Sequence, residues 1–229
     1  MARSILVATL GFDTKFQMKT LTKLVSEGEK TLDLVTIVRP EEGGDKADRA
    51  EEELSRFCKR VLGLNVRVVR TNVLDPPAAI STIFKTLSQL NPELVIADLS
   101  GGMRLLILET LAAVLAFNRS RPTARIIVWA EDLSGRVELD PRLFNLPLFD
   151  ERDHKILEVI AKEGPQTLRE LTSKLSMPRS TVHARLTSLG ERGFVAKEKD
   201  KGSLRYHITQ LGMIAYHMGV VEVKNMSRL

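Results

Sequence analysis

The sequence predicts an α/β domain with a doubly wound, mostly parallel sheet, followed by a smaller winged helix-turn-helix domain. Up to about residue 140, strand-like apolar runs alternate with helix-like segments, which is the order typical of a parallel sheet. After residue 150 the pattern changes to short helices and one hairpin, and the whole charge surplus of +5 lies in residues 151–229. We therefore expect a first domain over residues 1–141, a linker over 142–150 and a second domain over 151–229.

The first domain is predicted from its apolar runs. Strands are expected at 5–10, 32–38, 66–69, 93–99 and 125–130, and helices at 15–26, 46–62, 77–90 and 103–117. Because the runs are rich in β-branched residues without clean alternation, the strands should be covered on both faces. Right-handed crossovers then give a Rossmann-like sheet, with an edge hairpin through Ser134 and Gly135 after the last run.

Composition excludes several classes of protein. A hydrophobic share of 43% can build a core, and no stretch reaches the ~18 to 20 apolar residues of a membrane span, so we expect a soluble, cytoplasmic protein. The single cysteine, Cys58, cannot form an intrachain disulfide. All four histidines lie in the second domain without cysteine partners, so no metal site is expected. No phosphate loop, G-x-S-x-G motif or carboxylate pair identifies a catalytic residue.

The second domain is predicted from the order of its elements. Helical patterns over 151–164, 167–175 and 179–193, a short turn before Pro178 and a hairpin over 194–208 define a winged helix-turn-helix. At helical spacing, Val182, Leu186 and Leu189 form the core stripe of the third helix. This region resembles the winged helix of the MarR and ArsR-like regulators over about 70 residues.

The opposite face of the third helix carries small, mostly polar residues that suit the major groove of double-stranded promoter DNA. The basic hairpin would reach the neighbouring phosphates. An alternative interpretation is that its lysines only protect and solubilise the hairpin edge. The residues expected to bind DNA are Arg179, Ser180, Thr181, His183, Ala184 and Thr187 in the helix, and Lys197, Lys199, Lys201 and Arg205 in the hairpin.

Two glycine-containing turns follow the first and fourth predicted strands, and both should emerge at the carboxyl edge of the sheet, where ligands bind in such folds. Gly11 in the first turn and Gly101-Gly102 in the second allow the backbone to approach an anion closely. Thr9 offers a hydroxyl, Phe12 an aromatic ring, and Arg104 a positive charge in the first turn of a helix. The alternative is that the glycines merely turn tight corners and Phe12 fills the core.

The helix predicted over 103–117 is apolar on nearly every side, interrupted by Arg104, Glu109 and Thr110. A helix without a polar face must be covered all round, and a second copy of the chain is the natural cover. We therefore expect this helix to help form a homodimer. The glycine turns of the two protomers would then meet across the two-fold axis and form one shared pocket for a symmetric polyanion.

TLGFDT after the first strand, DLSGGMR after the fourth, and the order of the domains resemble the CRISPR-associated Rossmann fold (CARF) transcription regulators of type I-A systems. The resemblance covers essentially the whole chain. It implies a homodimer that binds a cyclic oligoadenylate, above all cyclic tetra-adenylate, and acts on promoters of CRISPR-associated genes in antiviral defence. The ligand-binding residues that it implies are Leu10, Gly11, Phe12, Asp13, Ser100, Gly101, Gly102, Met103 and Arg104.

The main hypothesis is therefore a DNA-binding regulator without a cofactor, whose cyclic effector changes the placement of the two recognition helices. Two alternatives stay open. Some proteins similar to the first domain cleave the cyclic ligand, and in-line attack by a ribose hydroxyl needs mainly positioning and charge, so a ring nuclease is one. The other is a winged-helix regulator that responds to a different nucleotide or small anion.

Overall fold

The computed structural model of the protein describes residues 4–28, 32–121, 123–146, 149–200 and 202–219. The chain divides into two compact units at the bond between Pro141 and Arg142. None of the described helices is long and apolar enough to cross a membrane.

The first unit contains one six-stranded sheet. Its strands are β1 (Ser4–Thr9), β2 (Leu32–Pro40), β3 (Asn65–Thr71), β4 (Leu94–Asp98), β5 (Ala124–Trp129) and β6 (Arg136–Leu139). Their order is β3-β2-β1-β4-β5-β6, and every neighbouring pair is parallel except β5 and β6. The predicted doubly wound α/β fold is confirmed, and β1 and β4 are neighbours. The strand order reverses between these two strands, which is where doubly wound sheets bind ligands.

Four helices cover the two faces of this sheet: α1 (Lys15–Ser26), α2 (Gly44–Val61), α3 (Pro76–Leu90) and α4 (Arg104–Ser120). Alternate residues of each strand point to opposite faces, so every central strand contributes to two cores. Ile5 and Val7 pack with α3 and α4, whereas Leu6 and Ala8 pack with α1 and α2. The continuous apolar runs of the sequence are explained by this double burial.

The second unit has the predicted winged helix-turn-helix order. Its elements are α5 (Glu151–Glu163), β7 (Gln166–Thr167), α6 (Leu168–Leu175), α7 (Arg179–Glu191), β8 (Val195–Asp200), β9 (Ser203–Ile208) and α8 (Gln210–Met218). The strands β7, β9 and β8 form a small antiparallel sheet in that order. The two-residue strand β7 was not predicted, because it is too short to carry an apolar pattern.

Local sequence fixes the angle between α6 and α7. Thr167 and Glu170 form a reciprocal capping box at the start of α6. The helix ends at Ser176, which takes the left-handed conformation with φ of 51°. Pro178 is the N-cap residue of α7, where its missing N–H costs no helical hydrogen bond. The chain therefore changes direction sharply between the two helices.

The segment 142–150, interpreted from the sequence as a linker, contributes to the structure of the second unit. A 3-10 helix spans Pro141–Asn145, and Leu143 and Leu146 pack against the core of the second unit. Phe149 is buried in the same core and makes an edge-to-face contact with Phe194, with 4.8 Å between ring centroids. The segment is thus a packed arm of the second unit, because its apolar side chains find partners there.

Candidate functional site

The two predicted glycine turns are in direct backbone contact at the carboxyl edge of β1 and β4. A Cβ atom added to Gly11 would lie 3.0 Å from the Cα of Gly102, which is closer than side chains normally approach. Gly102 itself has a φ of 101°, a conformation that residues with a side chain rarely adopt. Both positions therefore require glycine, and the structure brings together the two motifs that the sequence suggested.

Buried polar groups hold this pair of turns in place. The Thr9 hydroxyl donates to the carbonyl oxygen of Gly101, and Gln17 Nε2 donates to the carbonyl oxygen of Thr9 at 2.5 Å. Both side chains are fully buried. A Cβ atom on Gly101 would collide with the Gln17 amide. Gln17 was missed from the sequence, although its position on the buried face of α1 is a signal.

Asp98, at the end of β4, is hydrogen-bonded to the second turn. Its Oδ1 accepts hydrogen bonds from the backbone N–H and the hydroxyl of Ser100. The same hydroxyl accepts a hydrogen bond from the N–H of Trp129 at 3.0 Å, and the Trp129 indole donates to Thr20 at 2.7 Å. Burial raises the pKa of Asp98, although hydrogen bonds from Ser100 and Thr20 act in the opposite direction. The turn is thus tied to β5 and to α1.

Four residues of the expected ligand set make contacts within the protein. The side chains of Thr9 and Leu10 have no exposed surface, and Leu10 N–H continues the β1–β2 ladder by donating to the carbonyl oxygen of Val38 at 2.8 Å. Gly101 is buried, and the Ser100 hydroxyl is occupied by Asp98 and Trp129. Thr9, Leu10, Gly101 and Ser100 therefore shape the turns, and their role as ligand contacts stays a prediction.

The remaining predicted residues are accessible: Gly11, Phe12, Asp13, Gly102, Met103 and Arg104. Phe12 is 64% exposed, so it does not fill the core. Asp13 is paired with Lys15, whose Nζ lies 3.3 Å from Oδ2, and this pair reduces the repulsion that an aspartate would exert on an anion. Arg104 forms no ion pair with any residue that the structure describes.

Two helices begin at these turns, and their first N–H groups are satisfied differently. The side chain of Met103, the N-cap residue of α4, accepts no hydrogen bond from the first turn of that helix. In α1 the N-cap residue Thr14 gives no side-chain cap, but Asp13 Oδ1 accepts from the N–H of Lys15, the first residue of the helix, at 2.8 Å. The first N–H groups of a helix carry partial positive charge and need acceptors. The start of α4, which carries Arg104 as its first residue, therefore favours a phosphate group.

The predicted DNA-facing side of α7 is open. Val182, Leu186 and Leu189 are fully buried, which confirms the core stripe. On the other side, Arg179, Ser180, His183 and Ala184 are exposed, and Thr181 and Thr187 are half-buried. The Thr187 hydroxyl donates to the carbonyl oxygen of His183 within the helix at 3.0 Å.

The hairpin separates the basic residues that were expected to act together. Residues opposite each other in an antiparallel pair share a face, and Lys197 pairs with Tyr206 whereas Glu198 pairs with Arg205. Lys197 and Lys199 are exposed. Arg205 lies on the other face and donates to the carbonyl oxygen of Pro165 at 2.9 Å, and its expected phosphate contact stays a prediction. Lys201 lies outside the described residues.

Arg185 on α7 was not singled out from the sequence, because a single arginine in a helix gives no pattern. It donates to Asp150 at 2.8 Å and to Asp153 at 2.7 Å, both at the start of α5. Arg192 stacks its guanidinium over the rings of Phe149 and Phe194, at 4.9 and 5.1 Å. The recognition helix is therefore fixed to the arm over residues 142–150 and to the beginning of α5.

No group of three or more His, Cys, Asp or Glu residues is placed to hold a metal ion in the part of the chain that the structure describes.

Comparison with known proteins identifies the first unit. The sequence model of the Csa3 CRISPR-associated Rossmann-like domain matches residues 4–140. The chain belongs to the Csa3 family. This match confirms the predicted resemblance to the CARF regulators, and the Csa3 domain ends where the first unit ends. The sequence model of the IclR helix-turn-helix domain matches residues 152–199 of the second unit.

Curated relatives that match about a quarter of the chain are transcription regulators. An uncharacterised HTH-type transcriptional regulator of Pyrococcus horikoshii is 38% identical over 55 residues, which are 24% of this chain and 33% of that protein. The HTH-type regulator FL11 of Pyrococcus furiosus is 36% identical over 50 residues, or 22% of this chain and 33% of FL11. The chain thus spans about a third of the length of these curated relatives.

Among solved structures, Can2 of Sulfobacillus thermosulfidooxidans in complex with cyclic tetra-adenylate is similar to 93% of this chain. The match covers 64% of Can2, with 10% identity and a TM-score of 0.43.

The buried Asp98 generates a pH-dependent prediction. The pKa of Asp98 is higher in the folded protein than the value of about 4 in the unfolded chain. The contribution of Asp98 to the free energy of unfolding is therefore complete below about pH 4, and it is lost as the pH rises through the folded pKa. In Asp98→Asn the free energy of unfolding should fall less between pH 4 and pH 7 than in the wild type, by up to about 1.4 kcal/mol per pH unit. Denaturant unfolding across this range measures the difference. Asp33→Asn, at an exposed position in β2, is the control, and identical profiles for Asp98→Asn and the wild type would contradict the prediction.

Two arginines of α7 should differ in function. Arg179→Ala removes an exposed charge and should lower the slope of log affinity for DNA against log salt by about 1, with little change in stability. Arg185→Ala should leave the slope unchanged and lower the free energy of unfolding of the second unit by about 1 to 3 kcal/mol, because Asp153 loses a charged donor. Fluorescence anisotropy with labelled DNA at several salt concentrations, together with thermal unfolding, checks both. Equal salt slopes for wild type and Arg179→Ala would contradict the assignment of α7.

Proposed function

We propose that the protein is a dimeric transcription regulator of CRISPR-associated genes that binds promoter DNA in the cytoplasm and is controlled by a cyclic oligoadenylate, specifically cyclic tetra-adenylate. The observation that carries this proposal is the backbone contact between the Gly11 and Gly102 turns, beside the start of α4, which has no side-chain cap from its N-cap residue and begins with the exposed Arg104. Membership of the Csa3 family and the winged helix-turn-helix of the second unit support the same conclusion.

The charge of the site favours a phosphate-containing effector. Backbone N–H groups approach an anion without the reorganisation that a flexible side chain requires, and a charged donor strengthens the hydrogen bonds further. Arg104 is an accessible cation at the second turn. At the first turn, the positive charge of Lys15 partly neutralises the negative charge of Asp13. Each protomer therefore offers one compact anion site, and a ring with several phosphates would use two such sites at once.

The outer surface of α4 supports a two-fold dimer. Leu105 and Leu108 are exposed, and Ala112 and Leu115 continue the row at three- and four-residue spacing. This is the spacing by which two helices pack along a common seam. On β6, Val137 is also exposed. Pairing of two α4 helices would cover these apolar side chains and bring the N-terminal ends of both helices, with their glycine turns, towards the shared axis.

DNA binding is proposed for α7 and the hairpin of β8 and β9. Exposed Arg179, Ser180, His183 and Ala184 present small and polar groups of a kind that enters a major groove, and Lys197 and Lys199 are free for neighbouring phosphates. A dimer would present two such surfaces to two half-sites.

Coupling between effector and DNA is proposed to pass through the arm over residues 142–150. A single residue, Asp140, separates β6 from the 3-10 helix that begins the arm. Phe149 and Arg185 fix the arm and the start of α5 to the core and recognition helix of the second unit. We propose that a displacement of β6 reaches the second unit through this arm. A coupling free energy of about 1 to 3 kcal/mol corresponds to a change of about 5- to 150-fold in DNA affinity.

Titration of promoter DNA with and without cyclic tetra-adenylate tests the proposed control. We expect the affinity for DNA to change by about 5- to 150-fold when the ring is bound. Arg104→Ala should weaken binding of the ring by about 10- to 150-fold, since it removes a charged donor, and should abolish the effect on DNA at the same ring concentration. Arg60→Ala, an exposed arginine in α2, is the matched control. Unchanged DNA affinity with the ring demonstrably bound would refute the regulatory proposal, and linear products in the mixture would favour the ring nuclease.

The dimer proposal has its own test. Leu108→Glu places a charge in the middle of the α4 seam, and two such charges would face each other across the axis, so we expect monomers. Analytical ultracentrifugation of the full chain at micromolar concentration measures the change. Val25→Glu, at an exposed position on α1, is the control and should remain dimeric. A monomeric wild type, or a dimer that survives Leu108→Glu, would refute the proposed seam.

A further inference from the structure

A cleft of about 340 Å³ lies at the carboxyl ends of β2 and β3 and shares one residue, Met103, with the second glycine turn. Clefts of this size are at the lower end of those that hold small organic ligands. The residues of its lining that matter here are Glu41, Glu42, Thr71, Asn72, Leu74 and Met103.

The apolar side of this cleft suits a flat ring. Leu74 is 82% exposed and Met103 is 42% exposed, so two large apolar side chains stand in solvent at one small site. A methionine thioether adapts to irregular surfaces and makes favourable contacts with aromatic rings. Covering both side chains with an aromatic base would remove this apolar surface from water.

The polar side of the cleft has unused hydrogen-bonding groups. Thr71 is 3% exposed, yet its hydroxyl has no hydrogen-bond partner among the described residues, which is uncommon for a buried polar group. Asn72 Oδ1 accepts from the N–H of Leu74 at 3.0 Å, and this bond fixes the side-chain amide while leaving its NH₂ group as a donor. Glu41 and Glu42 are exposed and form no ion pair with any residue in the described ranges.

The sign of the charge separates this cleft from the glycine turns. Two carboxylates repel a phosphate but accept hydrogen bonds from an amino group, so the cleft suits a neutral group with N–H donors. A purine with an exocyclic amino group combines such donors with ring nitrogens that accept from an amide and a hydroxyl. Cleft and glycine turns together match the two halves of a nucleotide.

We propose that the cleft lined by Thr71, Asn72, Glu41, Glu42, Leu74 and Met103 binds the adenine base of an effector nucleotide whose phosphate lies on the adjacent glycine turns. This inference rests on the proposed function, because it assigns the base-recognition half of the same effector site. The 6-amino group donates to a carboxylate of Glu41 or Glu42, Asn72 donates to a ring nitrogen, and the ring covers Leu74 and Met103.

The test compares two rings with identical ribose phosphates. One is cyclic tetra-adenylate, and the other is the same ring built from purine riboside, in which hydrogen replaces each 6-amino group. Isothermal titration calorimetry on the full chain should show that the wild type prefers the adenylate ring by about 5- to 150-fold. In the double variant Glu41→Ala/Glu42→Ala this preference should fall towards 1. Glu52→Ala/Glu53→Ala, which removes two exposed carboxylates from α2, is the matched control and should keep the preference.

Thr71→Val supplies a second readout, because valine has nearly the same shape without the hydroxyl. If the hydroxyl is held ready for a base, the variant should bind the adenylate ring several-fold more weakly while the ligand-free protein is as stable as the wild type or more so. Lower stability together with unchanged ring affinity would make Thr71 a structural residue and overturn its role.

The outcomes separate this inference from the function on which it rests. If the wild type binds both rings equally, as it would with the cleft filled by the partner protomer, the base site is overturned and the phosphate site stands. An adenylate preference that survives Glu41→Ala/Glu42→Ala equally overturns the assignment of these carboxylates. Failure of the wild type to bind either ring overturns the effector proposal and the base site together. Arg104→Ala should weaken both rings by the same factor, since it acts on the phosphates.

Discussion

Contact between the backbones of Gly11 and Gly102 is the constraint on which the rest of the site depends. The two turns approach so closely that a Cβ on Gly11 would lie 3.0 Å from the Cα of Gly102, and Gly102 itself takes a positive φ. This contact brings the starts of α1 and α4 to one place at the sheet edge. The N-terminal ends of two helices are then held at one place by backbone contact, with Asp13 on the first turn of α1 and Arg104 at the start of α4.

The sequence predicts much of the fold because double burial leaves a strong signal. Continuous apolar runs identified β1 to β5, and the glycine motifs identified the sheet edge. Sequence patterns are weak predictors where a segment is ordered by residues far away in the sequence. The strand β7 has only two residues, and Phe149 of the arm packs against Phe194, which no local pattern reveals.

Within the site, sequence reasoning found the motifs but not which of their atoms are accessible. Leu10 follows the last residue of β1. Its N–H extends the β1–β2 hydrogen bonding by one bond to Val38, and this places its side chain in the core. The role of Asp98 depends on Ser100, Trp129 and Thr20, which are brought together only by the tertiary fold. Arg205 was grouped with Lys197 because both are basic, but the strand register places them on opposite faces.

The position of Trp129 has a practical consequence. It is the single tryptophan of the chain, its backbone N–H is bonded to Ser100 of the second glycine turn, and its buried indole is bonded to Thr20 of α1. Lys19 lies 4.5 Å from the centre of its ring. Indole emission responds to nearby charge and to loss of a hydrogen bond. The intrinsic fluorescence of Trp129 therefore reports on the second glycine turn without a label, because Trp129 contacts Ser100 of that turn directly.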